Sequence, residues 1–229
     1  MSTAKAVSKA AKILAAADDL FSKQGFRGVT MSTIAQRAHV GKGTAYLYWR
    51  SKEELFLELV ARHLQETLSK VAEQLKEDAS LAMPNRLLPL LAEAWLKKSI
   101  VRALQTADEE SLGALFDNPT VRQLFQENNM RAIISRLLPI WRQHGVIKAN
   151  WTEQEQQLSL EMLLLGFFTE SSHFVTQTLG HKHNLAQVLD LAISAVLAVA
   201  TPSSSAQSLS SAICKTLTDQ AQAISSSYL

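Results

Sequence analysis

The sequence is poor in the residues that cross-link or interrupt a protein chain. Its single cysteine, Cys214, excludes an internal disulfide and a zinc site built from several cysteines. Eight glycines and five prolines among 229 residues are few for a sheet protein, whose chain must turn about every 8 to 12 residues. The composition therefore favours long helices, and an apolar fraction of 47% is enough to fill a sizeable core.

A long apolar run is also missing. The longest largely apolar stretches, Met162 to Phe168 and Leu191 to Ala200, are far shorter than the roughly 20 residues that span a bilayer. Near the N-terminus, the stretch Ile13 to Ala17 runs directly into Asp18 and Asp19, which does not fit the apolar core of a signal peptide. We therefore expect a protein of the cytoplasm, whose reducing conditions suit a single free cysteine.

The net charge of +2 hides an uneven distribution. Residues 1–52 contain nine lysines and arginines against two aspartates, a net charge of +7. Residues 53–229 contain 14 basic and 19 acidic residues, a net charge of −5. A small basic module suggests a polyanionic partner, although a solvated helix decorated with lysines would give the same count.

The first 60 residues have the pattern of a helix-turn-helix unit. Apolar residues from Val7 to Phe21 recur at helical spacing and predict a first helix that ends at Gly25. Thr30 is the predicted N-cap of a short second helix, which the turn at His39 ends. A third short helix is predicted from about Lys42 to Trp49. Two short helices joined by a tight turn and braced by a preceding helix form this DNA-binding motif.

The remainder also predicts helices. Ser51 with Glu54 forms a capping-box pattern that starts a long fourth helix, and Thr152 with Glu155 forms another. Pro89 and Pro139 are expected to kink or restart their helices. The final segment could dock on the body or on a partner subunit, or remain partly disordered. The predicted segments after the fourth helix are 85–106, 108–116, 119–144, 153–181, 185–200 and 205–224.

The stretch from Thr30 to Leu55 closely resembles the DNA-binding signature of the tetracycline-repressor-like (TetR) family of bacterial regulators. It contains a Thr before an Ile-Ala pair, a turn of the Ala-Gly-Val type, a Gly-x-x-Tyr recognition helix, an aromatic pair and then Ser-Lys-Glu-Glu-Leu. Two positions depart from the signature, since His39 stands for the usual Gly of the turn and Tyr48-Trp49 for the commoner His-Phe. The resemblance covers about residues 8 to 60.

The resemblance implies a set of DNA contacts. Family members place the recognition helix in the major groove, where Gly43 would allow close approach and the Thr44 methyl would meet a thymine methyl. Hydroxyl and ammonium groups would bind phosphates. Leu47 and Trp49 are interpreted as core residues, whereas Arg27, Arg37 and Arg50 are expected to raise the local potential without a fixed contact. The predicted DNA-binding residues are Thr30, Ser32, Thr33, Lys42, Gly43, Thr44, Tyr46, Tyr48 and Lys52.

The same resemblance implies an all-α, two-domain homodimer in the bacterial cytoplasm, associated with the nucleoid. Residues 1–52, the head, would bind operator DNA, and residues 53–229, the body, would bind a small molecule and dimerise. Residues 158–168 are apolar on nearly every side, which predicts burial on two faces, one of them against a partner subunit. We expect the dimer interface at the helices near 153–181 and 185–200, the alternative being the central helix pair of a monomer.

The ligand pocket is harder to predict. Phe116 and Trp141 lie in segments that correspond to pocket-flanking helices of the family, and Trp95 and Met162 are further candidates for an aromatic and Met-lined cavity. Taken singly, each of the four is more often plain core than pocket wall. His181 and His183 do not share a helix face, so we predict no metal site, and we predict no cofactor.

We compare three classes of function for this sequence. The first is a DNA-binding transcriptional regulator, usually a repressor in this family, that a small hydrophobic or aromatic ligand releases from its operator. An enzyme is disfavoured because the sequence has no phosphate-binding glycine loop and no recognisable nucleophile or zinc-ligand set. A helical homodimeric interaction module without regulated DNA binding is the third, against which the charge and motif of the head argue.

Overall fold

A computed structural model describes residues 2–97, 101, 115, 117–148, 151–170, 185–200 and 205–229 of the chain. These residues form helices and no β-strand, which confirms the all-α prediction. A short 3-10 helix spans Ala79–Ala82. The α-helices of the described residues are α1 Ser2–Gln24, α2 Met31–Arg37, α3 Lys42–Tyr48, α4 Lys52–Glu77, α5 Pro84–Leu96, α6 Pro119–Asn128, α7 Met130–Gln143, α8 Glu153–Glu170, α9 Leu185–Leu197 and α10 Ala206–Tyr228.

The head is a three-helix unit held by its turn. His39 has φ 54°, the left-handed conformation in which the family signature has Gly. Val40 follows, half-buried, and its N–H donates to the carbonyl of Ala35 at 3.0 Å. Ala35 and Ala45 are fully enclosed, 2% and 0% exposed, because small side chains let α2 and α3 approach closely. The predicted helix-turn-helix is confirmed as a structural unit.

Helix α4 connects the head to the body. It begins at the predicted cap, where the N–H of Glu54 donates to Ser51 Oγ at 3.1 Å and Glu54 Oε2 accepts the N–H of Arg50. Its buried residues continue from Leu55 to Leu75, so one helix contributes to both cores. The predicted boundary between residues 52 and 53 thus falls at the first turn of a continuous helix.

The C-terminal helix α10 packs along α4. Ser210 Oγ donates to the carbonyl of Leu75 at 2.7 Å, and Cys214 Sγ lies 3.5 Å from the carbonyl of Ala72. Leu209, Ile213, Leu217 and other residues at helical spacing form its buried face. Of the three alternatives for this segment, docking on the body is the one observed.

In the remainder of the body, α5 packs on α9, and α8 lies between α7 and α9. One prediction for this region is wrong: 119–144 is two helices, because the side chain of Asn129 accepts the N–H of Ala132 at 2.9 Å and caps a new helix. Helices α5 and α7 continue through Pro89 and Pro139 without interruption. No helix among the described residues has the length and apolarity needed to cross a membrane.

Candidate nucleic-acid interface

Helix α3 has one exposed and one enclosed side. Ala45 and Trp49 face the core and are 0% and 4% exposed. Thr44 and Tyr48 are half-buried at the edge of that side. Successive residues are rotated by about 100° around a helix, so the remaining residues, Lys42, Gly43, Tyr46 and Leu47, form one exposed arc of about 140°. We call these four residues the α3 arc.

The α3 arc combines an open backbone with large side chains. A Cβ atom built on Gly43 meets nothing within 4 Å, so this part of the helix is accessible to another molecule. Lys42 Nζ lies 5.9 Å from the centroid of the Tyr46 ring, which is 42% exposed. The arc therefore offers a cation, a phenol hydroxyl and close backbone approach on one surface.

Leu47 is not the core residue that the sequence interpretation made it. Its side chain is 85% exposed, because it is two residues from both Ala45 and Trp49 and therefore points about 160° away from each. It is four residues from Gly43 and shares its face. The helical spacing between Leu47 and the buried Ala45 and Trp49 was enough to predict that Leu47 is exposed. The assignment of Trp49 to the core is confirmed.

The start of α2 is a compact hydroxyl cluster. Thr30 Oγ1 accepts the N–H of Thr33 at 3.2 Å, and Thr33 Oγ1 accepts the N–H of Thr30 at 3.0 Å and donates to its carbonyl at 2.8 Å. Both hydroxyls thus complete a capping box. Ser32 is exposed beside them. All three predicted contacts are at the surface, where they remain predictions.

The ammonium group of Lys52 makes its hydrogen bonds within the protein. Its ammonium donates to the carbonyls of Phe26 and Val29, each at 2.9 Å, and lies 3.9 Å from the centroid of the Phe26 ring. Partial burial lowers the pKa of Lys52. The lysine joins the start of α4 to the segment between α1 and α2. Its predicted phosphate contact remains untested, but its structural contacts are clear.

Both acidic residues of the head are paired. Asp19 binds Lys23 and Arg37, which lie 2.5 and 3.0 Å away, and the hydrogen bond from Lys23 is the main reason that the pKa of Asp19 is lowered. Asp18 Oδ1 lies 2.9 Å from Nε2 of His63 on α4. The acidic charge of the head is thus paired within the protein, and Arg37 has a fixed partner there.

Residues 13–59 match the family model of the bacterial regulatory proteins of the tetR family. The chain is 41% identical over 64 residues to the HTH-type transcriptional regulator YhgD of Bacillus subtilis, an alignment that covers 28% of this chain and 34% of that regulator. Residues 13–59 therefore form a DNA-binding domain of the tetR type. The chain spans between about a third and just over half of the length of the curated relatives it matches first.

Solved structures of the tetR family share the fold over most of the chain. A regulator from Mesorhizobium loti aligns with a TM-score of 0.55 at 23% identity and covers 84% of this chain and 96% of its own. The regulator FadR from Bacillus subtilis, solved in complex with stearoyl-CoA, aligns with a TM-score of 0.57 at 18% identity over 83% of this chain and 98% of its own. At these identities the likeness shows the fold alone.

Of the four predicted pocket residues, the structure describes Trp95, Trp141 and Met162. Trp141 is fully buried, and its Nε1 donates to the carbonyl of Ala82 at 2.8 Å, which gives it a structural role. Trp95 is also buried, but its Nε1 has no acceptor among the described residues. Met162 is 65% exposed on α8, because it lies on the face opposite the buried Leu160 and Leu164. Phe116 lies outside the described residues, as do His181 and His183.

A narrow cavity lies between the first half of α4 and helix α6. The described lining residues are apolar except for Asn128, whose Nδ2 donates to the carbonyl of Leu124 and whose Oδ1 accepts from Gln220. The sequence interpretation did not select this cavity, since its residues look like ordinary core. The described residues that line it are Phe56, Leu57, Val60, Leu64, Val101, Val121, Leu124, Phe125 and Asn128.

Helices α8 and α9 present an apolar surface to solvent. On α8, Leu158, Met162 and Leu165 follow one another at spacings of four and three residues and are 53%, 65% and 57% exposed. On α9, Val188 and Leu191 are 54% and 65% exposed. Exposed apolar residues at helical spacing are typical of a protein interface. We call these five residues the α8–α9 surface.

Replacing Lys52 tests its structural contacts. Lys52→Met keeps the aliphatic stem but leaves the carbonyls of Phe26 and Val29 without their donor, so we expect a loss of about 1–3 kcal/mol in the free energy of unfolding. Chemical denaturation followed by circular dichroism measures it. Lys70→Met, at an exposed lysine of the same helix, is the control and should change little. Equal stability of the two variants would contradict the structural role.

Proposed function

We propose that the chain is a sequence-specific DNA-binding transcriptional regulator, a repressor that a small hydrophobic or aromatic ligand releases from its operator. The observation that carries the proposal is the exposed α3 arc on a head with a net charge of +7. Helix α3 is free on the side that a major groove would meet, and the acidic groups of the head are paired elsewhere.

In this proposal, residues 1–52 bind DNA and residues 53–229 bind the ligand and dimerise. Lys42, Gly43, Thr44 and Tyr46 of α3 enter the major groove, while hydroxyls at the start of α2 and Tyr48 contact phosphates. The phosphate contact of Lys52 is the weakest of the set, because two of its three ammonium donors are used within the protein.

We propose that two chains form a homodimer through the helices near 153–181 and 185–200. The α8–α9 surface supports this, since a second copy would bury five exposed apolar side chains in a four-helix arrangement. A two-fold dimer presents two heads, whose recognition helices must reach major grooves about 34–36 Å apart. The orientation of α4 in each subunit sets that spacing.

The ligand site is proposed at the cavity between α4 and α6. Asn128, the only polar residue among the described lining residues, has both amide atoms satisfied, so the site suits an apolar group without hydrogen bonds. The stearoyl-CoA complex of FadR makes an acyl chain a reasonable first probe. Because four lining residues belong to α4, a ligand that favours one α4 orientation would shift the population of DNA-competent dimers.

Gly43→Ala tests DNA binding through two measurements, the stability of the free protein and its affinity for DNA. The first should be unchanged or rise, and the second should fall. The added methyl meets open space, and Ala favours a helix over Gly, so the free protein should be equally stable or more stable by up to about 1 kcal/mol. Affinity for duplexes that the wild type enriches from a random pool should fall by about tenfold or more, since roughly 1.4 kcal/mol corresponds to a factor of ten.

Binding by the wild type should also weaken steeply with salt. If no sequence is enriched, or if Gly43→Ala binds DNA as well as the wild type, the proposed use of α3 is wrong. A dimer that binds no DNA would instead indicate a helical interaction module.

The dimer proposal predicts the effect of a charge on the α8–α9 surface. Met162→Glu would bury an unpaired carboxylate at the subunit contact, so the dissociation constant should rise at least about 100-fold, the equivalent of roughly 3 kcal/mol. Sedimentation equilibrium measures it. Gln222→Glu, which adds the same charge on the exposed side of α10, should remain dimeric. A wild type that is monomeric at micromolar concentration would refute the interface.

The ligand site predicts that filling the cavity abolishes the response. Val121, 3% exposed, lines the cavity from α6, away from the DNA-binding helices. Val121→Phe should leave DNA affinity within about twofold but raise the stearoyl-CoA concentration that releases DNA by about tenfold or more. Coenzyme A without an acyl chain is the ligand control. Release of both proteins at the same stearoyl-CoA concentration would place the ligand elsewhere.

A further inference from the structure

Leu47 is the most exposed large apolar residue of the described part of the chain. Its side chain is 85% exposed, although burying a leucine is ordinarily favourable by about 1.5–3 kcal/mol. It lies on the α3 arc and not on the α8–α9 surface, so a subunit contact through α8 and α9 does not cover it. A partner that meets α3 is the natural means of burying it.

The residues around Leu47 indicate which kind of molecule would cover its side chain. Gly43, one turn earlier on the same face, leaves open space in which another molecule can approach the backbone. Lys42 is at the opposite edge of the arc, and the head around it is strongly basic. An apolar protein partner does not need these cations, whereas a major groove presents phosphates at its rim and base edges at its floor.

The chemistry of leucine further restricts which group in the major groove its side chain would contact. Its side chain neither donates nor accepts a hydrogen bond, so it cannot read the donors and acceptors of the base edges. The one apolar group that a standard base pair presents in the major groove is the C5-methyl of thymine. Thr44, next to Leu47 around the helix, is half-buried, so Leu47 is the better exposed of the two methyl-bearing side chains.

We propose that Leu47 is a specificity-determining residue that packs on a thymine C5-methyl in each operator half-site. This inference rests on the proposed DNA-binding function, which it extends by a base preference at one position. The Lys42 edge of the arc then faces the phosphate backbone, and the Leu47 edge faces the bases.

The experiment replaces single thymines by deoxyuridine, which removes only the methyl group. Full-length protein first enriches its preferred duplex from a random pool, and each thymine in one half-site is then replaced in turn. At one position the wild type should lose about fourfold in affinity, the equivalent of one buried methyl group. Leu47→Ala should bind more weakly and lose nothing further from that deoxyuridine.

The controls separate this contact from other effects. Leu229→Ala removes another exposed leucine, which lies at the end of α10 and not on α3, and should retain the deoxyuridine sensitivity of the wild type. Leu47→Ala should keep the unfolding midpoint of the wild type because the side chain is exposed. If both the wild type and Leu47→Ala respond equally to every deoxyuridine, the thymine contact is refuted while DNA binding stands. If no duplex is enriched, both the inference and the proposed function fail.

Discussion

The anchoring of α4 on the head is the constraint on which the remaining structure depends. Lys52 fastens the first turn of α4 to two carbonyls of the preceding segment, and Trp49 Nε1 donates at 2.7 Å to Oε2 of Glu58, six residues further along α4. Beneath them, the rings of Phe21, Phe26 and Phe56 pack together with centroids 5.1 to 5.8 Å apart. The recognition helix therefore cannot change direction independently of α4. Any motion of α4 within the body is transmitted to the DNA-binding surface.

The other half of α4 is held just as firmly by the body. Helix α10 packs along it, and the cavity lies against its first three turns. A ligand in that cavity would contact α4. The C-terminal half of this helix packs on α10, and its N-terminal end is joined to the head. This arrangement explains how an apolar ligand without a hydrogen-bonding partner could regulate DNA binding: it needs only a difference in affinity between two orientations of α4.

Features set by neighbouring residues could be predicted from the sequence. The caps at Thr30 and Ser51 and the turn at His39 depend on chemistry within a few residues, and each is found as expected. The break at Asn129 was missed because apolar spacing continues across it, and a side-chain cap outweighs that pattern. Leu47 was assigned by its apolarity although its helical position places it on the outer face.

The cavity between α4 and α6 could not be predicted, because its lining residues are distant in the chain. Trp95 and Trp141 look alike in sequence, yet only Trp141 meets a carbonyl 59 residues away. Met162 was expected in a pocket and lies on an exposed face, because local spacing defines a stripe without saying what covers it. The cavity residues of α4 and α6 are ordinary leucines, valines and phenylalanines that no motif distinguishes from core.

Hydroxyl-radical footprinting on an enriched duplex tests the account most directly, because it reports DNA binding, the two-fold dimer and the spacing of the heads together. The account predicts two symmetry-related protected windows whose centres lie about one helical turn, or a whole number of turns, apart, and which fade together when ligand is added. A single unpaired window, or protection that is absent at low salt, would contradict it.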